Sequence, residues 1–79
     1  MLDQLISYIS ESLIPENTEI NKDTSLISSR LIDSINTLKL VDFVEETFNV
    51  ELDAKEVSRE FLDTPQMIVN LILEKLNKQ

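Results

Sequence analysis

The apolar residues Leu2, Leu5, Ile6, Ile9 and Leu13 recur at steps of 3, 1, 3 and 4. That is the spacing of one helical face, and it predicts a first helix. Pro15 ends it, because the residue before a proline avoids the helical region. Tyr8 falls off the stripe and takes no role from it. The stretch PENTEINKDTSLISSRLID, residues 15–33, is rich in Asn, Asp, Ser and Thr and has no long period. It reads as a loop with room for one helical turn, pinned to the core by Ile20, Leu26, Ile27 and Leu31. A loop this long in a small domain is unusual and often functional.

A second helix is predicted from Ser34 to about Phe48. Thr37, Leu40, Val41, Val44 and Phe48 fall within roughly 100° of arc at about 100° per residue. The opposite face collects Ile35, Leu38, Lys39, Asp42, Glu45 and Glu46. Two branched apolar residues therefore sit on the face that should be wet, within about one turn of Ser34. Asp53 with Glu56 has the spacing of a capping box and predicts a short third helix closed by Phe61 and Leu62. Thr64 followed by Pro65 is a start signal for a fourth, with Met67, Ile68, Leu71, Ile72 and Leu76 as its apolar face. No segment alternates with period two. The fold class is all-α: a small four-helix bundle of three longer helices and one short third helix, with a long loop between the first two.

Length and charge narrow the reading. Seventy-nine residues make a single domain, 1–79, with a small core. The chain has no cysteine and no histidine, so disulfides, the usual zinc ligands, and Ser-His or Cys-His nucleophiles are excluded. It has no glycine, so phosphate-cradling loops and the glycine-bearing calcium loop are excluded as well. Glu45 and Glu46 are adjacent and point about 100° apart, which makes no acid–base pair. Catalysis by the chain itself is not expected, and neither is a metal. A net charge of −8 argues against nucleic acid and anionic lipid and favours basic protein partners. The N-terminal MLDQLISY has no basic cluster, so no secretory signal is expected, nor a membrane span; a cytoplasmic monomer is the expectation.

Within residues 33–63, nine acids face three bases, a net charge of −6. Such a face is often plain solvation; beside the apolar Ile35 and Leu38 it reads as a docking surface. Ser34, at the start of its stripe, has the position of a helix N-cap. It is also a lone serine among exposed apolar residues, before an acidic face and after a long loop.

Those features resemble the acyl carrier protein, or thiolation-domain, family. The motif Asp33-Ser34-Ile35 is similar to the family's Asp-Ser-Leu, and the helix after it ends in FVEETFNVEL. DTSLI in the loop and FLDTPQMIVNLI near the last helix fall in the family's order, so the resemblance covers almost the whole chain. It implies that a phosphopantetheinyl transferase esterifies Ser34 with 4′-phosphopantetheine from coenzyme A, with Asp33 as part of that site. The thiol of the arm would then carry an acyl group as a thioester. An aminoacyl cargo, as in D-alanyl carriers, is the alternative; an unmodified helical interaction module is the alternative of another class. Further partners implied are an acyl- or aminoacyl-loading ligase and synthase enzymes with basic surfaces. The pathway classes are fatty acid, polyketide or nonribosomal peptide biosynthesis. Docking would use Ile35, Leu38, Lys39, Asp42, Glu45 and Glu46. An acyl pocket would lie between helices two, three and four at Val41, Val44, Phe61, Met67 and Ile68. Those last residues are otherwise simply core.

Three departures mark this chain. The family often has glycine three or four residues before the serine, where this chain has Leu31 and Arg30, so the turn is made without glycine's freedom at positive φ. Lys39 stands where fatty-acid-type carriers often have an acid, and Asp42 where they often have an apolar residue. The last two changes alter the partner-facing surface and point away from the standard fatty acid synthase enzymes, while LIDS and FLDTPQMIVNLI resemble stand-alone carriers of specialised pathways and D-alanyl carriers more than the fatty-acid type.

Overall fold

The computed structural model describes residues 1–15 and 17–77. Helix α1 spans Leu2–Ser12, with Asp3 in its first turn, where a negative charge suits the helix dipole. Leu13 closes it by donating its N–H to the Ile9 carbonyl at 3.0 Å. Leu5, Ile9 and Leu13 are buried, as the stripe predicts.

Helix α2 spans Ser34–Phe48. Its N-cap is Asp33, not Ser34: Asp33 has extended backbone, and its Oδ1 accepts the Asn36 N–H at 2.8 Å. Aspartate is as good a cap as serine, and one residue of register decides which of them serves. Asn36 then reaches back and donates its side-chain amide to the Leu13 carbonyl at 3.2 Å, joining the end of α1 to the start of α2. The C-cap, Asn49, is left-handed at φ 56°, a conformation that Asn tolerates better than most residues. Val50 is buried directly after it.

The single third helix expected from Asp53 to Leu62 is two pieces. A 3₁₀ turn covers Ala54–Glu56, and α3 covers Arg59–Leu62. Val57 and Ser58 between them are non-helical, at φ/ψ of −85°/71° and −156°/168°. The break has a packing cause. Val57 and Leu62 both pack on the core, and an unbroken helix would set them about 140° apart. The Asp53 N–H does donate to Glu56 Oε1 at 2.8 Å, as the capping-box spacing predicts. Glu56 also pairs with Lys75; that bond holds the Glu56 carboxyl below its ordinary range and raises the Lys75 amine.

Helix α4 spans Pro65–Asn77 and packs against α1 and α3. Thr64 Oγ1 accepts the Met67 N–H at 3.1 Å, and Pro65 occupies the first helical position. Ile68, Leu71 and Ile72 are buried; Leu76, expected on the same face, is 38% exposed near the helix end. The described residues contain no strand, and the molecule is the all-α bundle that the pattern predicts.

Among its described residues, the loop between α1 and α2 contains hydrogen-bonded turns and no helix. Asp63 holds it. Its Oδ1 accepts the N–H groups of Ile27 and Ser28, each at 2.9 Å, and the Ser25 hydroxyl at 3.1 Å. The Asp63 carbonyl accepts the Leu26 N–H at 2.6 Å. Burial pushes the Asp63 carboxyl up, but the donors from Ser28, Ile27 and Ser25 outweigh it and leave it below the ordinary range. Leu26 is fully buried beneath this clamp, and Ile32 is nearly so. The chain then turns into α2 through Arg30, at φ 63°. For a residue with a Cβ this costs roughly 1–2 kcal/mol.

Candidate functional site around Ser34

Ser34 is the first residue of α2 and is exposed. Because Asp33 makes the cap, the Ser34 hydroxyl has no hydrogen-bond partner among the described residues. It opens onto a groove of about 570 Å³, lined on one side by Ile27, Arg30 and Ile32 from the loop. Thr37 and Leu38 of α2 form a second side, and Val57 and Ser58 a third. The break in the predicted third helix thus supplies one wall. Asp33 and Arg30 are the two charged residues lining the groove.

Two polar groups here are unused. Arg30 is exposed, and its guanidinium forms no ion pair among the described residues. Ser58 holds the N-cap position of α3, yet its hydroxyl caps nothing and is buried without a hydrogen-bond partner. A buried hydroxyl left unpaired is costly and calls for an explanation.

The expected docking residues Ile35 and Leu38 are 66% and 60% exposed, and Leu38 also lines the groove. Lys39, Asp42 and Glu46 are exposed on the same outer side of α2. Glu45 is different: it is half-buried, and its Oε2 accepts the Leu52 N–H at 2.9 Å, so it fastens the turn after α2.

The residues expected to line an acyl pocket between helices two, three and four are apart from the Ser34 groove. Val41, Val44 and Ile68 are buried in the bundle core. Phe61 and Met67 line a separate depression of about 200 Å³. None of the five lines the Ser34 groove, because α2 turns Val41 and Val44 inward and offers Thr37 and Leu38 to the groove. Sequence reasoning missed Thr37, Val57 and Ser58 as its lining. No pattern marks Ser58, since a serine inside an expected helix carries no signal. Tyr8 was also without a role. It stacks on Phe43 at 4.0 Å between ring centroids, and its hydroxyl donates to the Lys39 carbonyl at 3.4 Å, bracing α2 from α1.

An exposed primary hydroxyl with no base within hydrogen-bond reach is suited to receive a group that another enzyme transfers. Among the described residues, no cluster of acidic side chains is placed to hold a metal ion, and no helix is long and apolar enough to cross a membrane.

No protein-family model matches the chain. Individual proteins do. A D-alanyl carrier protein of Bacillus velezensis is 30% identical over 74 residues, covering 94% of this chain and 90% of that protein. The chain belongs to the carrier protein family. An acyl carrier protein of Guillardia theta is 28% identical over 76 residues, covering 96% of this chain and 91% of that protein. A D-alanyl carrier protein of Bacillus subtilis is 28% identical over 74 residues, covering 94% and 90%. The helical bundle and the near full-length matches agree, and carriers of this family are not themselves catalysts.

Proposed function

We propose that this carrier holds 4′-phosphopantetheine on Ser34 and presents an acyl thioester to partner enzymes. The observation that carries the reading is the Ser34 hydroxyl itself, exposed, free of any capping duty, and set beside a groove at the start of a 15-residue helix. In the loading step Ser34 Oγ forms a bond to the β-phosphorus of coenzyme A. The phosphoanhydride bond breaks, adenosine 3′,5′-bisphosphate leaves, and the transferase removes the hydroxyl proton. Once attached, the arm supplies a thiol, which the chain lacks because it has no cysteine. The residues present fit such a group: apolar lining from Ile27, Ile32, Leu38 and Val57, with Arg30 as a polar contact.

Ile35 and Leu38 form the apolar anchor of the docking face, and Asp42 and Glu46 steer partners that have basic rims. These partners are the transferase, a loading ligase and the enzymes that consume the thioester. Incubation with coenzyme A and a promiscuous transferase should add one phosphopantetheine, on Ser34, by mass spectrometry. A chain that stays unmodified would be an interaction module instead.

An aminoacyl cargo is the second reading. It is favoured by the near full-length similarity, at 28–30% identity, to proteins named D-alanyl carriers. Offering the loaded carrier D-alanine or a fatty acid, each with its adenylating ligase, separates the two.

A further inference from the structure

Arg30 is a costly residue in its position. Its backbone is left-handed at φ 63°, which glycine would adopt without strain. Its N–H closes a turn onto the Ile27 carbonyl at 3.0 Å, so the conformation is fixed by the fold. Strain kept at a site invites a functional explanation. The side chain supplies a second observation: it lines the groove with Ser34 and makes no ion pair among the described residues, in a chain with 15 acidic residues.

Electrostatics gives these observations a common target. A phosphodiester on Ser34 would place one negative charge next to the Asp33 carboxylate, on a chain of net charge −8. The two charged groove residues are Asp33 and Arg30, and Asp33 is committed to the helix cap. Arg30 is therefore the cation that can answer the new charge, and guanidinium is the side chain best matched to phosphate oxygens.

We propose that Arg30 pairs with the phosphodiester of the arm on Ser34 and is a positioning residue for it. The proposal rests on the reading of Ser34 as the attachment site. It gives the chain a reason to keep Arg30 where a residue without a Cβ would be unstrained. It also ties the base of the arm to the groove.

The test compares unmodified and phosphopantetheinylated forms of the wild type, Arg30→Gln and Arg30→Lys, each loaded to completion and verified by mass spectrometry. All three keep a Cβ at position 30, so backbone strain is held constant. Melting temperature is read at low and physiological ionic strength, together with the ³¹P resonance of the phosphodiester. Loading should lower the melting temperature of Arg30→Gln by about 2–4 °C more than that of the wild type at low salt. The gap should narrow as salt rises. The ³¹P shift should move in Arg30→Gln and be largely retained in Arg30→Lys. Equal effects of loading in the wild type and Arg30→Gln, with the same ³¹P shift, would overturn the pairing while leaving Ser34 as the attachment site. A chain that gains no phosphopantetheine at all overturns both.

Discussion

The Asp33 carboxylate accepts the backbone N–H of Asn36 at 2.8 Å, and this bond separates two duties that the sequence allows Ser34 to combine. Asp33 stabilises the start of α2, and Ser34 is left free for chemistry. Ser34→Ala should therefore abolish loading and change stability by less than about 0.5 kcal/mol, as an exposed substitution away from the cap. Asp33→Ala should cost about 0.5–2 kcal/mol, the usual loss for a cap. Urea unfolding of the two variants checks this. A larger loss in Ser34→Ala than in Asp33→Ala would return the cap to Ser34.

Leu38 and Leu40 are two residues apart and have opposite fates. Leu38 is 60% exposed beside the groove, and Leu40 is fully buried. Leu40→Ala should cost about 2–5 kcal/mol through the cavity it leaves. Leu38→Ala should cost less than about 0.5 kcal/mol. It should still slow transfer of phosphopantetheine, with little dependence on salt, because an apolar contact is lost rather than a charge. Thermal melts beside transferase kinetics decide it: a loss above about 2 kcal/mol for Leu38→Ala would place that residue in the core and remove it from docking.

Asp63 makes the long loop part of the fold, and its protonation should loosen the loop. Its carboxyl titrates below the ordinary value of 3.8 in the folded chain, because the donors from Ser28, Ile27 and Ser25 outweigh burial. Its contribution is then complete above the ordinary aspartate range and fades as pH falls through the folded value. Asp63→Asn should lose about 1–3 kcal/mol at pH 7. The gap from wild type should shrink in acid, below the ordinary aspartate value. Denaturant midpoints at neutral and acid pH give the comparison. A gap that stays constant would mean that Asp63 acts by shape and not by charge.

Periodicity placed α1, α2 and α4 because each buries one continuous stripe, and a stripe is a local property of sequence. Thr64-Pro65 marked the start of α4 for the same reason: the cap and the proline act within one turn. The break at Val57–Ser58 was hidden, because it follows from Val57 and Leu62 needing the same core, a constraint set by the rest of the bundle. The groove at Ser34 was not legible for a related reason. It is formed where the loop meets the start of α2, and the Asp63 carboxylate, 36 residues away in sequence, holds Ile27 there. Arg30 was visible as a departure from glycine, whereas its left-handed backbone was not. Glu45 and Glu46 look alike in sequence. The Leu52 N–H, seven residues further on, distinguishes them by taking Glu45 into the fold.

That distinction sets the test of the docking face. Asp42 and Glu46 are exposed and make no hydrogen bond or ion pair among the described residues, so reversing them to Lys changes the outer face of α2 without touching a hydrogen bond that holds the fold. Each reversal adds two units of charge, taking the chain from −8 to about −4, which relieves self-repulsion. The melting temperature of Asp42→Lys with Glu46→Lys should therefore hold or rise. Transfer of phosphopantetheine should nevertheless slow several-fold at low salt, since the wild-type charges steer a partner with a basic rim. The deficit should shrink as ionic strength approaches the physiological range, where screening acts over about 8–10 Å. Glu45→Gln is the contrasting variant. It should cost about 1 kcal/mol in stability by weakening the bond to the Leu52 N–H, and leave the transfer rate close to wild type. Transferase kinetics across a salt series, beside the melts, would sink the assignment if the Lys variant transferred as fast as wild type, or if its deficit were the same at every salt concentration.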